Sequence, residues 1–448
     1  MTFTNKYSNN KLLAWTMVFC GISLIIIWPI IQTMALRNLL LSIGGILGIP
    51  YLYQNRKTFF QSQASPLIFI ILFFIWLGFH YFFFAQRPEL ELSELKGTWV
   101  RALLASILGL SIGLFGRDHS RVQHAIWLGI SLFVVIFYLN YSLISIQIKN
   151  WSIPYPSQYG MYGNKISIIF YGVIALALTL GILSYKQTQS YAWEWPFIFG
   201  NFAFIGLIFM AFIVVGTKSG VVISILMISF YLVLFLLKRK KTLKSIIPIA
   251  IFIIFLVLAS YTHFNKNTEW DNFSSSVSAG TQTEKYLNWR NMSHDHPPIL
   301  EDGTVTQESA YLRTALAIVG FDFLVKNPYG YGLVKDSFKY IAQDSYPKDT
   351  KMDIIATLSG WLDFALGLGL PGLFLIWTAI ALTIYHAIGR KNIWSHCTIW
   401  ILTSIFFVWM VSEVTENHFI ETIFYLISLL LAGNLPIISD KSVAEARS

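Results

Sequence analysis

The sequence predicts an all-α protein: a polytopic membrane helical bundle of about 12 transmembrane helices with one large, partly helical external segment. Two observations predict this fold class. Hydrophobic residues make up 55% of the 448 residues and charged residues only 12%, whereas soluble domains carry about 25% charged residues. Apolar runs of about 20 residues, enough to cross a bilayer, also recur along the chain, and one long polar stretch interrupts them near the C-terminal end.

The apolar runs define twelve predicted spans. We expect the first run to be a retained helix, because it is long enough to span and lacks the small-residue site of a cleaved leader. The chain then divides into residues 1–261 with nine spans, an external segment over 262–355, and residues 356–448 with three spans and a tail. The spans are 12–34, 38–54, 66–85, 98–116, 122–143, 165–185, 195–216, 219–237, 245–261, 356–385, 397–413 and 416–436.

Basic residues at the span boundaries predict the orientation, because cytoplasmic loops carry an excess of lysine and arginine. The predicted topology collects most of them on one side, which we expect to be cytoplasmic and to hold both termini. Glu89, Glu91, Glu94 and the polar stretch lie on the opposite side. The residues that define the cytoplasmic side are Lys6, Lys11, Arg56, Lys57, Arg117, Arg121, Lys186, the run 238–241, Arg390 and Lys391.

The composition argues against several classes of protein. A net charge of +9 could suggest nucleic acid, but no soluble basic domain is present to bind it, so no nucleic-acid partner is expected. Cys20 and Cys397 lie in separate apolar runs and imply neither a disulfide framework nor a metal site. His294 and His296 have no third ligand nearby, so we interpret them as part of a solvated loop, and no cofactor or metal is expected.

Three of the basic residues on the predicted external side stand out, because they are held near the membrane against the usual bias. Lys218 occupies the short turn 216–220, Arg101 lies just inside the outer end of the fourth span, and Arg313 lies in the external segment. One such residue alone could be a side chain that reaches for the interface. The three together indicate a site for an anionic headgroup such as a diphosphate.

Residues 309–326 of the external segment are predicted to form an amphipathic helix, because apolar residues recur at helical spacing and the proline at 328 ends the pattern. Arg313 is then predicted on the first turn, where the helix dipole would add to its charge. A second short helix is expected through 335–340, and residues 281–306 are expected to be irregular. The recurring apolar residues are Leu312, Leu316, Val319 and Phe323.

Three external motifs resemble the O-antigen ligase and polymerase superfamily, which acts in lipopolysaccharide and other surface-polysaccharide biosynthesis in bacteria. Members carry a short Ser-Arg-Gly or Thr-Arg-Ala turn, and this chain has Thr-Lys-Ser-Gly at 217–220. Members carry an arginine-led helix closed by an Asn-Pro and Gly-x-Gly pattern, here Arg313 and residues 327–332. A segment ending in Gly-Leu-x-Gly follows, here 358–372. Each motif alone is weak, but their order and their external placement make the combination fairly specific.

The chain departs from the ligases at one position. A histidine usually opens the last motif, and alignment on residues 369–372 puts Leu358 there. No histidine occurs between His296 and His386. Asp363, five positions on, would point about 140° away around the helix. The departure favours the polymerases and related oligosaccharide transferases over the ligases.

The resemblance implies a metal-independent glycosyltransferase that acts on the periplasmic face of the inner membrane. Its donor would be a glycan on undecaprenyl diphosphate, surrounded by membrane lipid, and its acceptor lipid A core, another glycan or a protein such as a pilin. Arg101, Lys218 and Arg313 are expected to contact the donor diphosphate. The candidate bases, each more often a structural or solvated residue, are Asp363, Glu308, Asp353, Glu416 and His418.

Two other classes of protein compete with this interpretation. A polytopic transporter or flippase would show internal repeats and charges at the membrane midplane, and Asp363 is the main residue that fits such a pattern. A structural assembly protein would tolerate the combined loss of the three external cations.

Overall fold

The computed structural model of the chain describes residues 3–147, 160–189, 195–238, 243–266, 272–291, 296–347, 356–412 and 417–437. These residues form an all-α structure whose β content is one isolated bridge, between Ile299 and Val305, so the predicted fold class is confirmed. The helices are α1 (Phe3–Ile27), α2 (Met34–Gln54), α3 (Ser65–Phe83), α4 (Pro88–Glu94), α5 (Val100–Asp118), α6 (Ser120–Gln147), α7 (Lys165–Thr188), α8 (Trp195–Val215), α9 (Lys218–Lys238), α10 (Leu243–Lys266), α11 (Phe273–Thr281), α12 (Glu308–Lys326), α13 (Ser337–Ser345), α14 (Gly360–Ala387), α15 (Ile393–Val411) and α16 (Asn417–Gly433).

Each predicted span coincides with one helix: α1–α3, α5–α10 and α14–α16. Within the described ranges, eight helical stretches are long and apolar enough to cross a membrane, judged by length and composition alone. Four more apolar stretches are shorter, Lys11–Ile27, Phe199–Val215, Ile253–Thr262 and His418–Gly433. The chain is therefore a polytopic membrane protein, and helices α11, α12 and α13 lie outside these apolar stretches.

Some predicted helix boundaries are wrong by a few residues. The apolar run continues past these points, but a residue with positive φ lies nearby and the helix stops. The first span was expected to reach residue 34, but α1 ends at Ile27 and a turn follows, with Gln32 at a φ of 63°. Helix α14 begins at Gly360, after a residue with positive φ. The second short external helix, α13, begins at Ser337 because Asp336 adopts a φ of 62°.

Helices α5 and α16 pack closely along their length at the centre of the bundle. A Cβ atom at Gly109 would lie 2.4 Å from the backbone oxygen of Tyr425, and one at Gly113 would lie 2.3 Å from that of Leu429. Small residues let membrane helices approach until their backbones touch, which is a main source of helix association in lipid. This packing holds the N-terminal end of α16 alongside the N-terminal end of α5.

Helix α14 is broken near its outer end. Gly369 has φ 73° and ψ 177°, and Pro371 follows it inside the helix. Proline has no N–H group and cannot complete the helical hydrogen-bond pattern, so carbonyl groups of the preceding turn need other partners. The backbone oxygen of Leu366 accepts a hydrogen bond from Tyr331 N (2.8 Å), and that of Gly367 accepts one from Gly332 N (2.7 Å). The backbone oxygen of Leu368 accepts one from Trp76 Nε1 (2.8 Å).

Candidate functional site

The two glycine motifs of the sequence meet in space. The loop 327–332, which follows α12, lies directly on the break in α14. A Cβ at Gly330 would stand 2.3 Å from the backbone nitrogen of Gly369, and one at Gly369 would stand 2.2 Å from the backbone carbon of Tyr329. Glycine is therefore needed on both sides because two backbones cross in contact. The motifs attach the external segment to the bundle.

Helix α4 holds the same loop from the other side. Glu94 accepts hydrogen bonds from the backbone N–H groups of Val334 and Lys335, both at 3.2 Å. The buried pair of His80 Nδ1 and Glu91 Oε1, 2.9 Å apart, lies beneath Gly332, where a Cβ would be 2.3 Å from Glu91 Oε2. The sequence offered these glutamates only as acidic residues of the external side.

A polar bridge at the rim completes this attachment. Arg87 Nε donates to the Tyr331 hydroxyl at 3.0 Å, and its Nη2 atom contacts Asp344 Oδ1 at 3.0 Å. Burial raises the pKa of Tyr331, so its hydroxyl stays protonated and donates to Asp344. The loop is thus fixed by helices α3, α4, α13 and α14, and it gives α12 a defined position over the outer end of the bundle.

Arg313 does not lie on the first turn of its helix as predicted. Helix α12 begins at Glu308, so Arg313 is on the second turn, beyond the reach of the dipole's positive end. Its Nη1 atom instead donates to the backbone oxygens of Val411 at 2.5 Å and Leu358 at 3.4 Å. Because Val411 ends α15, the guanidinium meets the negative end of that helix.

Position 358, where the ligases usually carry histidine, therefore lies beside Arg313. Leu358 adopts a φ of 62°, a conformation that costs a non-glycine residue about 1–2 kcal/mol. Asp363 stabilises this strained backbone conformation through the neighbouring residue Thr357. Its Oδ1 atom accepts hydrogen bonds of 2.7 Å from both the backbone N–H and the hydroxyl of Thr357. These contacts favour Asp363 as a residue that positions the strained turn.

Asp363→Asn is expected to keep most of the stability and activity, because an amide oxygen can accept both hydrogen bonds from Thr357. Asp363→Ala is expected to cost about 1–3 kcal/mol, since it leaves the buried backbone N–H of Thr357 without its acceptor. Thermal unfolding and transfer activity of the two variants measure this. If Asp363 is instead the general base, the asparagine variant will fold normally and lose activity.

Lys218 is the first residue of α9 and follows Gly216, which has a φ of 70°. Its Nζ atom lies 5.9 Å from the centre of the Phe273 ring, at the start of α11. Near its other end α11 packs on α12, since a Cβ at Gly280 would lie 2.6 Å from Thr314 Cβ. Seven helical residues span roughly 10 Å. Helix α11 thus links Lys218 to the helix that carries Arg313.

Arg101 lies in a second charged cluster, at the outer ends of α1, α2, α5 and α16. Its Nε atom is 2.6 Å from Glu421 Oε1, and Trp28 Nε1 donates to the other carboxylate oxygen at 3.1 Å. Glu421 is buried and its charge offsets that of Arg101. The predicted diphosphate contact of Arg101 is therefore weakened by a neighbouring anion that the sequence did not indicate.

Arg37 is a functional candidate that sequence reasoning missed. It is half-buried in the first turn of α2 and interacts electrostatically with Glu421 and His418. Its Nε atom is buried and has no hydrogen-bond partner in the described part of the chain. Arg37 and Arg101 together exceed the charge of Glu421 by one. The sequence contained a signal for Arg37, because the predicted topology places this residue on the external side, between the first two spans.

The remaining predicted site residues are dispersed. Glu308 is exposed in the first turn of α12, and His418 is buried with its ring stacked 6.1 Å from that of Tyr171. Asp353, Glu416 and His294 lie outside the described residues, whereas His296 is exposed. Among the residues that the structure describes, no group of three or more His, Cys, Asp or Glu side chains could hold a metal ion.

Comparison with known proteins agrees with the motifs. Residues 203–377 match the family described as O-antigen ligase, and this range contains Lys218, Arg313 and both glycine motifs. No curated protein matches the chain. Members of the matched family are glycosyltransferase-like enzymes with glycan and lipid-linked substrates in general. The match to the O-antigen ligase family over residues 203–377, in an all-α membrane bundle, supports the predicted resemblance to the O-antigen ligase and polymerase superfamily.

Proposed function

We propose that the protein is a glycosyltransferase of the bacterial inner membrane, with its active site on the periplasmic face and both termini in the cytoplasm. It transfers a glycan from undecaprenyl diphosphate to lipid A core, as a ligase, or to another glycan, as a polymerase. One observation carries the proposal: the O-antigen ligase domain contains Lys218 and Arg313, and α11 joins these two cations at one end of the bundle.

The proposed reaction is a substitution at the anomeric carbon of the donor glycan. The acceptor hydroxyl oxygen forms the new bond, the bond to the diphosphate oxygen breaks, and undecaprenyl diphosphate leaves with the electron pair. The hydroxyl proton passes to solvent or to a carboxylate at the rim, of which Glu308 is the exposed candidate. Negative charge grows on the leaving diphosphate, so fixed positive charge is the contribution that this chain supplies most clearly.

Four basic side chains can stabilise the negative charge on the leaving diphosphate, and they differ in how they would do so. They are Arg313, Lys218, Arg37 and Arg101. Arg313 combines a planar guanidinium, suited to a bidentate phosphate contact, with a backbone anchor that fixes its direction. Lys218 is a point charge at the start of α9, where the helix dipole adds to it. Arg37 supplies surplus charge next to the Arg101–Glu421 pair. We assign the donor diphosphate to Arg313 and Lys218, with Arg101 and Arg37 at the adjoining edge.

Lys218→Arg is expected to keep glycan transfer, because it conserves positive charge at the start of α9. Lys218→Ala should lower transfer by about tenfold or more, which corresponds to roughly 1.5–3 kcal/mol for a lost hydrogen bond to a charged group. Initial rates with a lipid-diphosphate-linked donor measure both variants. Lys285→Ala is the control, since Lys285 is exposed and paired with Glu301 at the surface. Normal transfer rates for Lys218→Ala would mean that Lys218 only helps to fix the topology of the chain and does not contact the donor.

Arg37→Ala is expected to raise the KM for the lipid-linked donor by about tenfold, since it removes the surplus charge beside Glu421. Because Arg101 and Trp28 still pair with the Glu421 carboxylate in this variant, the thermal stability should change little. Donor titrations and unfolding curves check the two statements together. Arg56→Ala is the matched control: Arg56 stacks on Tyr53 at 4.4 Å and is predicted on the cytoplasmic side. An unchanged KM rules out Arg37 as a donor contact.

The acceptor decides which member of the superfamily this chain is. Deleting the gene and comparing lipopolysaccharide, capsule and glycoprotein fractions tests the proposed function. Chains that vanish from lipid A core indicate a ligase, chains that shrink to single repeats indicate a polymerase, and loss of glycan from a protein such as a pilin indicates an O-oligosaccharyltransferase. If every fraction is unchanged in a strain that makes these glycans, transport by a flippase becomes the better reading.

A further inference from the structure

Helix α12 is apolar on two opposite faces. One face packs against the bundle through Leu316, Val319 and Phe323, all of them buried. The opposite face exposes Phe321 by 61% and Val325 by 78%. These two residues and Ile318 form the outward stripe of α12, and positions i, i+3 and i+7 fall within roughly 60° on a helix. An external helix that faces water would carry polar residues there.

The C-terminal end of α12, next to the outward stripe, contacts the end of α3. Tyr329, just past the end of α12, stacks on Phe84 with ring centres 4.8 Å apart. Phe84 directly follows α3, whose last residues Phe82 and Phe83 are exposed. Since α3 is an apolar membrane-spanning helix, exposed phenylalanines at its outer end face lipid. The C-terminal end of α12 therefore stands at the level where α3 leaves the bilayer.

Helix α14 gives the same depth independently. Leu370 N donates to Pro328 O at 2.9 Å, and Leu370 and Phe374 are exposed on this spanning helix. From Leu370 to Ala387, the last residue of α14, is about 26 Å at 1.5 Å per residue, close to the hydrocarbon thickness of about 30 Å. The end of α12 thus lies near the outer edge of the hydrocarbon.

The polar groups around the stripe suit an interface. Asp322 and Lys326 lie at its edge and neutralise each other, with Lys326 Nζ 2.6 Å from Asp322 Oδ2. Tyr329 places an amphipathic ring where aromatic residues collect at membrane surfaces. A helix with one face on protein and the other on lipid is the arrangement of an interfacial helix.

We propose that α12 lies in the outer interface of the bilayer and that its outward stripe inserts among lipid chains. Lipid is favoured over a second copy of the chain because Tyr329 and Pro328, just past the end of α12, contact Phe84 and Leu370 at the exposed apolar ends of two membrane-spanning helices. Arg313, on the same helix, then stands at the level of lipid headgroups. This inference does not rest on the proposed function, since it concerns the position of α12 whatever reaction the site performs.

Site-directed fluorescence in liposomes tests the position. An environment-sensitive dye is attached to Phe321→Cys or Val325→Cys, and quenching is measured with nitroxide-labelled phospholipid and with iodide in the outer solution. The native Cys20 and Cys397 are buried, and the unsubstituted protein measures any labelling there. Phe82→Cys is the lipid-facing reference and Asp302→Cys, an exposed position of the external segment, the water-facing one.

The proposal predicts that both stripe positions are quenched by the nitroxide lipid to an extent comparable with Phe82→Cys, and several-fold less by iodide than Asp302→Cys. Iodide quenching equal to that at Asp302→Cys overturns it, because the stripe then faces water. Protection from both quenchers overturns it too, since protein, such as a second copy, then covers the stripe. Labelling Ile318→Cys repeats the test if either variant fails to accumulate.

Discussion

Arg313→Ala is expected to lower glycan transfer by about 10²–10³-fold, the loss seen when one preorganised donor to a developing anion is removed. The side chain is anchored to the backbone oxygens of Val411 and Leu358, so its charge is held in place before the leaving group develops. Initial rates of transfer from a lipid-diphosphate-linked donor, at equal amounts of protein in the membrane, measure the effect.

The same anchor means that the alanine variant also loses some stability, about 1 kcal/mol for two partly buried carbonyl groups left without this donor. Arg313→Lys separates the structural role of the side chain from its proposed contact with phosphate. Lysine keeps the positive charge and can donate to one of the backbone oxygens, but it cannot make a bidentate phosphate contact. We expect the lysine variant to fold nearly normally and to transfer glycan more slowly than the native protein. Arg290→Ala, which removes an arginine stacked on Tyr346 at 4.0 Å, is the control. Normal transfer by a stable Arg313→Ala protein contradicts the assigned role.

Gly369→Ala is expected to remove most of the folded protein from the membrane. Gly369 has a φ of 73° and its Cβ would lie 2.2 Å from the backbone carbon of Tyr329, so the substitution combines backbone strain with a collision that no side-chain movement relieves. Such combinations cost more than about 4 kcal/mol. Membrane abundance and the unfolding midpoint in detergent are the measurements.

Two glycines of the same chain serve as matched controls. Gly389 has a φ of 83° but open space around its Cβ position, so Gly389→Ala should cost only the conformational term, about 1–2 kcal/mol. Gly78, inside α3, meets nothing within 4 Å, and alanine there should be neutral or slightly stabilising. If Gly369→Ala is no worse than Gly389→Ala, the crossing of the loop and α14 is not the attachment described above.

Hydropathy located the spans because a spanning helix must hide its own backbone and present about 20 apolar residues. It could not find α4 or α11, which are short and are held by tertiary contacts that no local pattern records. The amphipathic spacing gave α12 to within one residue at its start and correctly at its end, because Pro328 ends the helix. The prediction that Arg313 lies on the first turn was wrong, because Arg313 is the sixth residue of α12, and the helix-dipole argument failed with it.

The glycine motifs were recognised as motifs, but their meaning came from the structure. Gly330 and Gly369 are 39 positions apart, and nothing in either stretch announces that they touch. Glu421 likewise reads as an ordinary carboxylate of the last span, although it neutralises Arg101. Arg37 was within reach of sequence reasoning, because the predicted orientation already put it outside with the three cations that were singled out.

The turn at Leu358, where the ligases usually carry a histidine, is held by neighbouring residues. The clamp from Asp363 to Thr357 and the contact from Arg313 to Leu358 O hold the turn. A histidine is therefore not needed to build it. In the proposed reaction, the charge at this position comes from the neighbouring cations.

The most direct test of the central claim is reconstitution of the purified protein in liposomes with a glycan on undecaprenyl diphosphate and a panel of acceptors. Lipid A core, the same lipid-linked glycan and an unfolded or pilin-like protein are each offered, and both the glycosylated product and free undecaprenyl diphosphate are measured. We expect the glycosylated product and free undecaprenyl diphosphate to form in equal amounts. We expect Arg313→Ala to lower both strongly and Arg290→Ala to leave both unchanged. Donor that is moved across the bilayer without cleavage, or release that Arg313→Ala leaves unchanged, contradicts the proposed function.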